Sequence, residues 1–225
     1  MKIRMHNGSR LLSLLLAVVL VFTLTVPALA ADKPQDMNLR IAVMSDLHYL
    51  SPDMIADTAD FEHALNSDRK LLKESSAILY EKFEQVRADK PDILLVSGDL
   101  TKDGEQECHA ALAKQLQQLQ QDIPGLKIYV INGNHDINNY DAASFTSGKE
   151  VKDQSLVTSP KQFKEIYQNL GYDLAEKDGS LYTPPKGKEA NGLSYAVSLE
   201  GGYRLIAMDG GKYSPDNMDP DHSGG

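Results

Sequence analysis

The residues whose types and spacing could do chemistry fall in three short runs: Asp46-Leu47-His48, Gly98-Asp99, and Gly133-Asn134-His135-Asp136. Asp46, His48, Asp99, Asn134 and His135 offer carboxylate oxygen, amide oxygen and imidazole nitrogen, with no thiolate. That donor set suits hard or borderline divalent cations: Zn²⁺, Mn²⁺ or Fe, with Mg²⁺ less natural beside imidazole. A carboxylate can bridge two such ions at roughly 3.5–4 Å, and the pair can clamp the attacking and leaving oxygens of an in-line displacement at phosphorus. A bound water also loses its proton more easily and becomes a nucleophile near neutral pH. Taken singly, an Asp after a strand is usually a turn residue or helix cap. Asp103-Gly104 is read that way and given no chemistry, and His6, His63, His109 and His222 are read as surface residues. The weight lies on the joint set, because all three runs close an apolar segment. The chain has no phosphate-binding G-x-x-x-x-G-K-[ST] loop, no G-x-G-x-x-G turn and no G-x-S-x-G elbow.

The apolar segments that must position these residues are short. Residues 39–44 and 93–96 read as strands, the second apolar enough to be covered on both faces, and 127–131 reads as a third. Between them, 70–88 carries Leu72, Leu79, Phe83 and Val86 on one helical face, and 105–121 leads a stripe of Leu112, Leu116, Leu119 and Ile123. Strand–helix–strand–helix–strand implies a mostly parallel sheet with helical crossovers. The carboxyl ends of its strands then share one edge, where crevices form. Residues 50–67 read as irregular and 137–158 as a long polar loop or lid. A short helix is expected over 160–169, and a hairpin over 193–199 and 203–208.

The chain has 225 residues and a formal charge of -9. Its first 30 residues hold Lys2, Arg4 and Arg10 and no acid, then the apolar run 11–22, then Pro27-Ala28-Leu29-Ala30. This is the layout of a secretory signal peptide cut after Ala30, which predicts a secreted or cell-envelope protein with no stable membrane span after cleavage. The remaining 195 residues read as one domain, 31–225. They carry 20 basic against 32 acidic residues, which argues against bulk binding to nucleic acid or anionic membrane. A single cysteine, Cys108, excludes an intrachain disulfide framework.

The three runs resemble the D-x-H, G-D-x-x and G-N-H-[DE] motifs of the calcineurin-like metallophosphoesterases, and the exported chain looks like the bacterial secreted members. The resemblance implies an α+β fold, a four-layer αββα sandwich of two packed sheets with helices outside. It implies two divalent metal ions: Asp46 and His48 on the first, Asp99 bridging both, Asn134 on the second. His135 would protonate the leaving oxygen or stabilise the transition state, and Asp136 would orient it. The implied reaction is hydrolysis of a small phosphate mono- or diester by metal-activated hydroxide. The family pattern continues with further histidines, including a G-H-x-H-like pair, whereas only His222 follows His135 here. On that reading the chain is a fragment lacking part of its second sheet and is inactive or poorly folded alone. The competing reading is an extracellular binding module that kept the fold without catalysis.

Overall fold

The computed structural model describes residues 38–186 and 192–211. The proposed signal peptide, His6 and His222 lie outside the described residues. Three short strands, β1 (Ile41–Met44), β2 (Ile93–Ser97) and β3 (Lys127–Ile131), form a parallel sheet in that order. Register pairs Ile41 with Ile93 and Ile93 with Lys127. Two helices follow the expected periodicity. The second of the chain, α2 (Ser75–Asp89), buries Leu79, Phe83 and Val86 and ends at Lys90 in the left-handed conformation. The third, α3 (Gln106–Asp122), buries Leu112, Leu116 and Leu119. Leu94, Val96, Ile128 and Val130, which alternate along β2 and β3, are all buried and belong to the same core as these helices. Because parallel strands need crossovers, the helices bring every strand back in the same direction, and the three chemical runs leave one edge together.

Two segments read as irregular are ordered. Residues 59–67 form α1 (Ala59–Ser67), whose N-cap Thr58 accepts a hydrogen bond from the Phe61 amide at 3.3 Å. The 137–158 segment is packed rather than lid-like. Ala142, Ala143 and Phe145 are fully buried, β4 (Ala143–Ser144) pairs antiparallel with β5 (Val151–Lys152), and the Thr158 amide donates to Gly104 O at 3.0 Å. A polar composition hid the few apolar residues that anchor it. Helix α4 (Pro160–Ile166) starts at a Ser159/Gln162 capping box and leads through a kinked turn at Leu170-Gly171 into α5 (Asp173–Lys177).

The expectation of a missing second sheet is overturned. Strands β6 (Tyr195–Ser198) and β7 (Arg204–Ala207) pair antiparallel, so the described residues hold three sheets and the fold is α+β with several sheets. The hairpin is held by its own apolar side. Leu193, Tyr195, Val197 and Ala207 are buried, and the Tyr195 hydroxyl donates to Val130 O at 2.9 Å. Leu95, Tyr129 and Ile131 share a groove with Leu205 and Ala207. Ile41, Val43, Ile206 and Met208 remain exposed. No helix among the described residues is long and apolar enough to cross a membrane.

Candidate metal centre

Backbone pairing continues past the strand ends and aligns the three runs. The Asp46 amide donates to Gly98 O (3.1 Å), the His48 amide to Asp99 O (2.9 Å) and the Gly98 amide to Ile131 O (3.0 Å). The chain must turn sharply to aim side chains off the sheet edge. Asp46, His48 and Asp99 all do so with positive φ, at 54°, 40° and 49°. Left-handed backbone costs a non-glycine residue roughly 1–2 kcal/mol and persists where the surroundings enforce it, most often at functional sites. The result is convergence: Asp46, His48 and Asp99 each present a ligand atom, all within 4.8 Å of one another. His48 Nε2 lies 3.9 Å from Asp99 Oδ2, while its buried Nδ1 has no hydrogen-bond partner.

Gly133 allows the third run to close on the second. A Cβ there would fall on Asp99 Oδ1 and on the Asp99 amide nitrogen, both nearer than the 3.0 Å at which it would meet Asp99 Cγ. Its absence lets the His135 amide donate to Asp99 Oδ1 at 3.1 Å. Asn134 sits between these two residues, exposed, in the same turn. Two carboxylates, an imidazole and an adjacent amide, around a space kept clear of a Cβ, fit a divalent cation.

The Asp136 carboxylate does not meet the His135 ring. It is fully buried and accepts from three amides: Gly133 (2.7 Å), Leu100 (2.8 Å) and Thr101 (3.1 Å). These bonds staple the turn after β2 to the turn after β3. Burial pushes this carboxyl up to about 7, against the pull of the amide donors.

The partner of His135 is Asp103, which the sequence reading passed over as a turn residue. Asp103 Oδ1 is 2.8 Å from His135 Nδ1. Its carboxyl is also bonded by Lys102 and, at 3.3 Å, by Lys70. Burial raises its pKa, but His135 and the two lysines more than offset that and hold it below the ordinary aspartate value. The same hydrogen bond raises His135, with burial and Lys70 working in the other direction. His48 moves down, chiefly through burial and then through Lys70 and His135. The two imidazoles meet edge to face with centroids 5.0 Å apart. Asp103 was hidden because Asp-Gly is the commonest kind of turn signal. Only its place four residues after Asp99, on the segment that doubles back, hinted otherwise.

His109, read as a surface residue, is completely buried. Burial lowers its imidazole to about 3, so it is neutral at any ordinary pH.

Residues 39–221 match the model of the family described as calcineurin-like phosphoesterase. The chain belongs to that family. A search among curated proteins returned no match. Family membership agrees with the convergence of Asp46, His48 and Asp99 in space, and it makes metal-dependent phosphoester chemistry the natural context for the strand-end cluster.

Proposed function

We propose that this chain is an exported phosphoesterase that hydrolyses a small phosphate mono- or diester with two divalent ions. The observation that carries the reading is the strained convergence of Asp46, His48 and Asp99 at one sheet edge, with a His135–Asp103 pair beside it. Asp46 and His48 would hold one ion, Asp99 would be shared, and Asn134 would serve the second. Mn²⁺, Zn²⁺ and Fe all suit these donors. When bound, such ions supply charge stabilisation at phosphorus and a water of lowered pKa.

The chain's own residues then divide the remaining work. Asp103 accepts from Nδ1 of His135, which fixes the ring and leaves Nε2 as the atom available to substrate. The bond to Asp103 favours the protonated ring, so His135 is suited to give a proton to the leaving oxygen. Gly133 keeps Asp99 accessible, and Asp136 locks the two turns in register. The N-terminal 30 residues would direct export and be removed.

The test is to purify the protein, measure bound metal by elemental analysis, and assay an aryl phosphate monoester and diester with added Mn²⁺ or Zn²⁺. Close to two ions per chain with metal-dependent turnover supports the reading. No recruitable metal under any of these conditions refutes it.

A further inference from the structure

Behind the candidate centre lies a buried polar chain that the proposed chemistry does not use. His109, on α3, has Nε2 at 3.2 Å from the backbone oxygen of Asp136 and 3.3 Å from Thr101 Oγ1. Its Nδ1 is 2.9 Å from the hydroxyl of Tyr167, the residue at the end of α4. Both rings are fully buried, and Phe163 packs edge to face on the imidazole with centroids 5.3 Å apart. Thr101 Oγ1 in turn accepts from the Gly104 amide at 2.9 Å.

The proton order in this chain follows from one fact. A carbonyl oxygen can only accept, so the bond to Asp136 O requires the proton on Nε2. Nδ1 then carries the lone pair and must accept from the Tyr167 hydroxyl. Exchanging the tautomer would set Nε2 and Asp136 O lone pair against lone pair at a fully buried position. Tyr167 therefore selects the imidazole that can reach Asp136.

Asp136 is also the residue whose carboxylate staples the turn bearing Asp99 to the turn bearing Asn134. The imidazole thus grips the staple from behind, at its main chain, while Thr101 ties the same ring to the first turn. We propose that His109, held in its Nε2–H tautomer by Tyr167, is a positioning residue that sets the spacing of the Asp99 and Asn134 turns and thereby the affinity of the cation they share. The proposal rests on the metal-dependent reading above. It assigns a task to two helices that otherwise only cover the sheet. Outer hydrogen-bond partners of metal ligands typically govern affinity by 10–100-fold. A network one bond further out is expected near the lower end.

The experiment uses the full chain and Mn²⁺ alone. Nitrogen-15 NMR of the metal-free protein should show one pyrrole-type and one pyridine-type nitrogen on His109, with the proton on Nε2. Tyr167→Phe keeps the ring and removes the donor. It should weaken Mn²⁺ binding, measured by titration calorimetry, about 10-fold while cooperative unfolding is retained. His109→Leu should weaken it at least as much, and His109→Gln, which keeps an N–H for Asp136 O, should recover part of the loss. Should His109→Leu not fold, Tyr167→Phe decides alone. An Nδ1–H tautomer overturns the proposal. So does lowered stability with wild-type Mn²⁺ affinity in Tyr167→Phe, the pattern of a merely structural role. If the unaltered protein takes up no Mn²⁺, the positioning proposal falls, and if it takes up no Zn²⁺ either, the phosphoesterase reading falls with it. Binding by the wild type with unchanged variants sinks the positioning role only.

Discussion

Gly133→Ala places one methyl group at the point where two of the three motif turns touch. The new Cβ would meet Asp99 Cγ at 3.0 Å, with Oδ1 and the Asp99 amide nitrogen nearer still. None of these atoms is the end of a flexible chain. Two belong to a carboxylate whose position defines the candidate centre and one to the backbone of the strained residue itself. Overpacking of this kind costs roughly 1–3 kcal/mol. Displacing Asp99 also breaks the bond from the His135 amide, worth about 1.5–3 kcal/mol when the acceptor is charged. The expected destabilisation is therefore about 2.5–6 kcal/mol, with metal affinity reduced at least tenfold because Asp99 belongs to the Asp46–His48–Asp99 cluster. Gly125→Ala is the matched control. Its φ of +87° strains an alanine, but its Cβ meets nothing within 4 Å. Backbone strain alone costs roughly 1–2 kcal/mol there, and metal binding is untouched. Urea unfolding with Mn²⁺ calorimetry on both variants checks the argument. A Gly133→Ala protein as stable as the Gly125→Ala control, with wild-type Mn²⁺ affinity, would refute the reasoning that Asp99 is confined by this contact.

Three other outcomes are expected. Asp103→Asn removes the main cause of the raised His135 pKa, so the His135 midpoint in an NMR titration of metal-free protein should fall, while Asp136→Asn should instead lower stability by uncoupling the two turns. His135→Ala should lower kcat by roughly 10²–10⁴ with metal content near wild type; parallel loss of metal would move His135 into the ligand set. The pH dependence follows from His109, whose folded pKa of about 3 lies below its ordinary 6.5. The unfolded chain binds the extra proton first, so this group's contribution is fully present above about pH 6.5 and is lost as pH falls toward 3, by at most about 1.4 kcal/mol per unit. The neighbouring Asp136 carboxyl is displaced upward to about 7 and works in the opposite direction, so the wild-type curve alone does not isolate His109. The stability difference between wild type and His109→Gln, from urea unfolding at pH 7 and pH 5, should shrink toward the acid side; a constant difference would contradict a neutral buried imidazole.

The convergence of Asp46, His48 and Asp99 was legible in the sequence because each follows an apolar run of strand length, and the direction of parallel strands forces their ends to one edge. The helical stripes on α2 and α3 were legible for the same kind of reason, since burial on one face imposes a period. Pairing partners are set by distance in space rather than along the chain, and they were not legible. Asp136 is adjacent to His135, yet successive residues in a turn diverge, and its carboxylate faces the backbone of the neighbouring loop. Asp103 lies 32 residues away and makes the bond instead. His109 looked like one more polar residue on a helix with a polar face. Its burial depends on α4 closing over it with Phe163 and Tyr167, a contact across 58 residues that no local pattern records. The hairpin β6–β7 could be read as two strands from its alternation, but its standing as a sheet of its own, fastened to β3 through Tyr195 and Val130, was decided by packing. Local periodicity determined the strands, the helices and the residues set at their ends. Which side chains share a proton was settled by how those elements close on one another, because a hydrogen bond depends on the last ångström of separation and sequence spacing does not resolve it.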